Sequence, residues 1–224
     1  MNQYIVAAIG DWNRENFEKI QGFCQSDWFF VDNPKCLYEL INAGVNPRYI
    51  FFPHWRWIVP PDLTNEYECV CFHMTDVPYG RGGSPLQNLI VRGHTSTVLT
   101  ALRMEEGMDT GPVYKKQALD LSGSAYEIYQ RASKLSFDFM RWMVVNEPLA
   151  VAQSGESVTF SRRQPEDSEI PLSTDLAGFY DYVRMLDAPD YPPAYIRYGD
   201  FNVEFKSALL AEGEITATVR IRKK

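Results

Sequence analysis

Of the three histidines in this 224-residue chain, one stands where an acid–base group is useful. His73 follows Glu68–Phe72, a short run that reads as a strand, and precedes a loop rich in Pro, Gly and Arg. Open parallel sheets bind ligands at the carboxyl ends of their strands, and imidazole exchanges protons near neutral pH. His73 is therefore either a satisfied core histidine or the acid–base group of a site. Asp109 lies in Glu105-Glu-Gly-Met-Asp-Thr-Gly111, between two further predicted strands. It closes an ordinary Gly-flanked turn, orients a protonated His73, or positions a water that relays a proton. Gly82-Gly83 suggests a phosphate cradle, but the Walker lysine and the full G-x-G-x-x-G pattern are missing. Cys69-Val-Cys71 places two thiols on one face of a strand. No second Cys pair or His cluster completes a zinc set, so no metal is expected. Cys69 itself reads as a buried strand thiol.

The elements that must position these groups follow from hydrophobic periodicity. Tyr4–Ile9, closed by Gly10, predicts a buried first strand. Asp11 and Asn13 cap a helix that runs to about Phe23, with Phe17, Ile20 and Phe23 on one face. Trp28–Val31, Tyr49–Phe52 and Glu68–Phe72 read as strands, and Cys36–Asn42 as a helix ended by Gly44. Strands and helices alternating at this spacing indicate parallel βαβ units. Beyond the Pro78–Pro85 loop the pattern predicts a helix to about Arg92, strands over Thr95–Met104 and Val113–Leu119, and a loop between them. A capping box at Ser124–Glu127 opens a helix over about 125–146, with Ile128, Ala132, Leu135, Phe139 and Met143 on its apolar stripe. A polar break over Ser161–Pro171 separates a main domain, 1–165, from a small α+β appendage, 166–224. The appendage holds a helix (Leu176–Leu186) and two short strand-like runs. The fold class is α/β: a Rossmann-like domain with a mostly parallel sheet and this appendage.

Composition bounds the function. Twenty-two Lys and Arg against 29 Asp and Glu give a net charge of −7. Phosphate contacts need basic surface, so the balance argues against nucleic acid as the partner, while an anionic small molecule in a local pocket remains compatible. No apolar run reaches the ~20 residues of a membrane span, and no signal segment precedes the first strand. With 4 cysteines and no need of disulfides at this length, the expectation is a soluble, cytoplasmic protein.

Two motifs in order carry a resemblance. His73-x4-Pro78-x2-Arg81-Gly82-x2-Pro85, followed by Met104-Glu-Glu-Gly-Met108-Asp109-Thr110-Gly111, resembles the folate-dependent formyltransferases. Their pattern is N-x-H, then S-L-L-P, then R-G-x-x-P, and later M-D-x-G-L-D-T-G. The spacings agree across residues 71–111, and Pro53–Ile58 lies where the family places its pterin-binding loop. Val183-Arg184 and Pro189-Asp-Tyr191-Pro-Pro-Ala-Tyr195 are similar to the C-terminal segment of sugar formyltransferases. The resemblance implies formyl transfer from N10-formyltetrahydrofolate to a primary amine. His73 would stabilise the developing oxyanion, and Asp109 would hold His73 and assist proton removal. The folate would lie between Arg56, Trp57 and Ile58 on one loop and Met104, Glu105, Glu106 and Met108 on the other. Arg81 would meet a substrate phosphate or carboxylate, or only brace its loop. The family's triad Asn is here Cys71, and a thiol is a weaker donor. Cys71 thus faces the substrate with Gln87 or Asn88 replacing the lost donor, or His73 carries more of the load, or Cys71 acts as a nucleophile.

The amine expected from these features is that of an amino sugar, nucleotide-linked or of a nonulosonic acid pathway. Only about 60 residues follow the break, and the body is acidic, which speaks against tRNA. The alternatives are an aminoacyl group on a carrier protein, a catalytically weak folate- or nucleotide-binding relative, and a hydrolase releasing formate from the folate. A homodimer is compatible with the sugar branch, and no membrane partner is expected.

Overall fold

The structure, a computed structural model, describes residues 1–223. Its elements in chain order begin with β1 (Gln3–Ala8), α1 (Asp11–Glu18), β2 (Asp27–Val31), α2 (Pro34–Asn42), β3 (Tyr49–His54) and α3 (Pro61–Glu66). There follow β4 (Cys69–His73), β5 (Tyr79–Gly82), α4 (Pro85–Val91), β6 (Ser96–Arg103), β7 (Val113–Asp120) and α5 (Ala125–Asn146). The chain closes with β8 (Val158–Phe160), α6 (Leu176–Arg184), β9 (Ala194–Tyr198), β10 (Phe201–Ala211) and β11 (Glu214–Lys223). The Cα packing groups these residues into two compact units. The first holds Met1–Gly82, Thr97–Leu119 and Tyr129–Thr159, and the second Gly83–Ser96, Asp120–Ile128 and Phe160 onward.

The first unit is organised by a six-stranded sheet of order β2-β1-β3-β4-β6-β7. The pairs β1–β2, β1–β3 and β3–β4 are parallel, and β4–β6 is antiparallel. The expected α/β class with a mostly parallel sheet is what the chain adopts. Alternation assigns the two faces. Ile5, Ala7, Ile50, Phe52 and Cys69 join Val31, Leu37 and Leu63 in one apolar cluster, with α2 and α3 residues against it. Tyr4, Tyr49, Phe51 and Phe72 point the other way in a chain of ring contacts that ends on Phe139 of α5, 6.4 Å from Phe72 between centroids. Both faces are covered, so these strands are apolar throughout.

Several boundaries differ from the sequence expectation. The first helix stops at Glu18, because Gly22 turns the chain at φ 73° and Phe23 enters a 3-10 turn. Neither Asp11 nor Asn13 caps that helix: Gly10 is the N-cap, and the buried Asn13 amide instead donates to the Ile9 carbonyl at 2.7 Å. α3 opens on Pro60-Pro61 and was not foreseen, being too short to show a period. The loop before Pro85 contains a strand, β5, which forms a ribbon with β8. His73 is the last residue of β4 rather than just past it.

In the second unit, β9, β10 and β11 form an antiparallel sheet of order β11-β10-β9, three strands where two short runs were expected. Phe179 of α6 packs on Phe205 of β10 with centroids 5.1 Å apart. The buried Arg184 guanidinium donates to the carbonyls of Leu121 and Gly123 and to Asp181, so it is structural. Gln87 is also buried here, its amide donating to the Met185 carbonyl at 3.0 Å.

Helix α2 offers a direct test of local coding. The Asn33 side chain accepts the Cys36 N–H at 3.0 Å, and Pro34 occupies the first turn. Asn33→Ala is expected to cost about 1 kcal/mol, read in thermal melts as a Tm lower by about 2–4 °C.

Candidate active site

At the carboxyl end of β4 the His73 ring is buried, and its two nitrogens face different partners. Nε2 lies 2.8 Å from the Gly80 carbonyl oxygen. A carbonyl can only accept, so Nε2 carries a hydrogen, and Nδ1 is the atom free to gain or give up a proton. Nδ1 stands 3.6 Å from Asp109 Oδ2. Gly80 holds this arrangement from a left-handed backbone at φ 76°, and its carbonyl also accepts the Thr75 hydroxyl at 3.2 Å. Thr75 is tied in turn by its carbonyl to the Thr100 hydroxyl, 2.7 Å away on β6.

The Asp109 carboxylate is fixed on several sides. Oδ2 accepts the Gly82 N–H at 2.9 Å, and the Cys71 thiol approaches Oδ1 at 3.9 Å. The residue itself sits at φ 54°, a region that Asp tolerates better than most side chains. Two features hold the loop there. Gly111 packs so closely that a Cβ would lie 1.9 Å from the Arg103 carbonyl oxygen. The Gln153 amide donates to the carbonyls of both Asp109 and Gly111 at 2.8 Å. Gln153 carries no sequence signal, being a lone amide in a loop after α5, and it was not among the expected residues.

The remaining sequence candidates divide by location. Cys71 is half-buried, and burial first, then the Asp109 carboxylate, push its thiol well above the ordinary range. A thiol kept protonated is a donor. Cys69 is fully buried and likewise pushed up to about 12 by burial. The Arg81 guanidinium is engaged by Gln153 Oε1 at 3.1 and 2.7 Å and by Ser157 at 3.3 Å, so it braces the loop. Gln87 belongs to the second unit and is spent on Met185, as described above. Arg56, Trp57 and Ile58 are exposed after β3, Trp57 edge-on to Trp55 with centroids 4.7 Å apart. Glu105, Glu106 and Met108 are exposed as well, while Met104 packs on the same apolar cluster as Trp55. Both loops are thus rooted on one patch of core. Among the described residues no cluster of three or more His, Cys, Asp or Glu is arranged for a metal.

A methionyl-tRNA formyltransferase from Clostridium thermocellum is 42% identical in sequence, with a TM-score of 0.96 and 100% of each chain covered. The chain belongs to the formyltransferase family. A model of the methionyl-tRNA formyltransferase C-terminal domain matches residues 165–222. The methionyl-tRNA formyltransferase of Rickettsia massiliae is 26% identical over 168 residues, 72% of this chain and 55% of the relative. The chain spans little more than half the length of such curated relatives. A 4-N formyltransferase from Francisella tularensis covers 97% of the chain at a TM-score of 0.69, but at 17% identity it shares the fold alone.

These relatives overturn two expectations for this family member. The amino-sugar substrate is not supported, because the sugar formyltransferases are distant neighbours whereas the similar chains are methionyl-tRNA formyltransferases. The exclusion of nucleic acid fails with it. Net charge is a sum over the whole chain, whereas phosphate contacts are local. Strand register puts Arg197, Lys206, Arg220 and Arg222 on one face of the C-terminal sheet, with Glu204 among them. Among the described residues no helix is long and apolar enough to cross a membrane.

His54 gives the neighbourhood a pH signature. Its ring lies against Tyr129 and Trp12, at 4.8 and 5.6 Å between centroids. Burial, then the Arg56 charge, lower it to about 4 from an ordinary 6.5. The unfolded chain takes up this proton near 6.5 and the folded chain only near 4, so stability present above 6.5 is lost as pH falls through that window. Urea unfolding at pH 5 should show the wild type about 2 kcal/mol less stable on this account than at pH 7.5, and His54→Gln should flatten that part of the profile.

Proposed function

We propose that the chain transfers the formyl group of N10-formyltetrahydrofolate to the amino group of methionyl-tRNA. The observation that carries the reading is the buried His73 at a strand end with Asp109 facing its Nδ1, in a chain 42% identical to a methionyl-tRNA formyltransferase over its whole length. The apolar surface exposed by Trp57, Ile58 and Met108 fits a flat heteroaromatic ring, and these residues with Met104 would hold the folate. When bound, the folate supplies the formyl group.

The chain's own contribution is proton management and alignment. Gly80 assigns the Nε2 hydrogen of His73, which leaves Nδ1 and the Asp109 carboxylate to take the proton that an attacking amine loses as it bonds the formyl carbon, and to return it to the donor nitrogen as the old formyl C–N bond breaks. The protonated imidazole then sits beside a carboxylate that stabilises it. The basic face of the C-terminal sheet gives the phosphate backbone of a tRNA a place to be held.

The test is formyl transfer to methionyl-tRNA by the purified chain with N10-formyltetrahydrofolate as donor. Wild type should formylate charged but not uncharged tRNA. His73→Asn should lower kcat/KM by about 10²–10⁴-fold, with the Tm held within a few degrees. If 5-formyltetrahydrofolate raises the wild-type Tm and methionyl-tRNA is still not formylated, the proposed acceptor is wrong.

A further inference from the structure

We infer that Gln153 is a positioning residue of the formyl-transfer site, fixing the Asp109 carboxylate against His73; the inference rests on the function proposed above. A side-chain amide has two N–H donors on one end and a carbonyl acceptor on the other. Here both ends are matched. Nε2 donates to the carbonyls of Asp109 and Gly111, each at 2.8 Å, and Oε1 accepts Nε and Nη2 of Arg81 at 3.1 and 2.7 Å.

The arrangement permits one amide orientation. A flip would turn the Gln153 oxygen onto two carbonyl oxygens and its N–H groups onto a guanidinium, so both ends would become repulsive. Arg81 thereby sets the direction of the amide, and the amide sets the loop. The two carbonyls it gathers flank Thr110 and fix the peptide planes around Asp109, whose φ of 54° would otherwise relax. The effect reaches the carboxylate by a second route. Arg81 is joined directly to Gly82, whose N–H donates to Asp109 Oδ2 at 2.9 Å, and Gly80 just before it holds His73. One neutral side chain therefore joins the backbone that carries Asp109 to the backbone that receives both Asp109 and His73. Gln153 is itself placed by the pairing of Val151 with Val113, which exchange hydrogen bonds at 2.8 Å at the start of β7.

A group that acts only by alignment should affect turnover and leave substrate binding nearly unchanged. Gln153→Ala is expected to lower kcat for methionyl-tRNA formylation about 10- to 100-fold, with KM for both substrates within about twofold. Gln153→Glu keeps the acceptor for Arg81 but turns an acceptor onto the two carbonyls, so it should lose as much as Gln153→Ala. In an Asp109→Asn background, adding Gln153→Ala should cost little more, because the two residues act as one unit. Amide exchange at Gly82 gives a readout independent of activity: Gln153→Ala should speed it at least about tenfold, while amides of β3 keep their wild-type rates. Retention of kcat, a loss confined to KM, or losses that add to those of Asp109→Asn would overturn the inference. Should the wild type prove inactive on methionyl-tRNA, the function fails separately, and Gly82 exchange still decides: faster exchange in Gln153→Ala supports positioning, and unchanged exchange refutes it.

Discussion

The site depends on keeping one carboxylate in place. Asp109 belongs to neither neighbouring strand, and its backbone occupies a region that costs a non-glycine residue on the order of 1–3 kcal/mol. Strain of that size persists only where surrounding bonds outnumber the ways of releasing it. Here they come from three separate parts of the chain: the Gly82 N–H, the Cys71 thiol and the Gln153 amide. The sheet supplies the rigid base beneath them. β4 and β6 pair from Val70 with Arg103 through to His73 with Thr100, so His73 and the start of the Asp109 loop are fixed to each other through a ladder. The turn then needs glycine at 111, because the Arg103 carbonyl fills the space a Cβ would take.

How much of this was written plainly in the sequence depends on the range of the interaction. Periodicity shows contacts that repeat along an element, and so the apolar runs of β1, β3 and β4 and the long stripe of α5 were legible. The places of His73 at a strand end and of Asp109 in a Gly-flanked loop were legible as well. The short elements were not. β5 has four residues with two glycines among them and exists because β8 lies beside it, a pairing across more than seventy residues. Gln153 is hidden for the same reason. Its four contacts are all with residues more than forty positions away, and nothing in Leu149–Gly155 marks an amide that fits them. Arg81 and Gln87 show what polarity near a motif leaves open. Sequence allowed Arg81 either a substrate contact or a bracing role, and the structure engages Arg81 with Gln153 and Ser157 and Gln87 with a backbone carbonyl.

The same contrast between sums and places explains the misreading of the acceptor. A charge of −7 describes the chain's behaviour at long range, where salt screens it within about 8 Å under physiological conditions. Recognition of a polyanion is decided at shorter range, by which side chains share a face. In the C-terminal sheet, residues that alternate in sequence separate by face: Phe205 turns to Phe179 of α6, and Glu204 and Lys206 turn away with Arg220 and Arg222. Composition averages over that separation, and only register reveals it.

Cys71 is the residue whose chemistry the geometry changes most. Its thiol stands against an acid, and both burial and the carboxylate keep it protonated. A protonated thiol 3.9 Å from Oδ1 gives its hydrogen to Asp109, and so is committed to holding that carboxylate. An amide at this position, as in the family pattern, offers two hydrogens and can serve the carboxylate and a reacting oxygen together. The thiol offers one. With that one hydrogen spent at Oδ1 and the Gly82 N–H at Oδ2, the carboxylate is held 3.6 Å from Nδ1 of His73, and the alignment of that nitrogen with Asp109 is the more demanding requirement. The extra bonds around Asp109 and the single donor at Cys71 are two sides of one arrangement: a thiol with its one hydrogen spent on the carboxylate, and a carboxylate held tightly against His73.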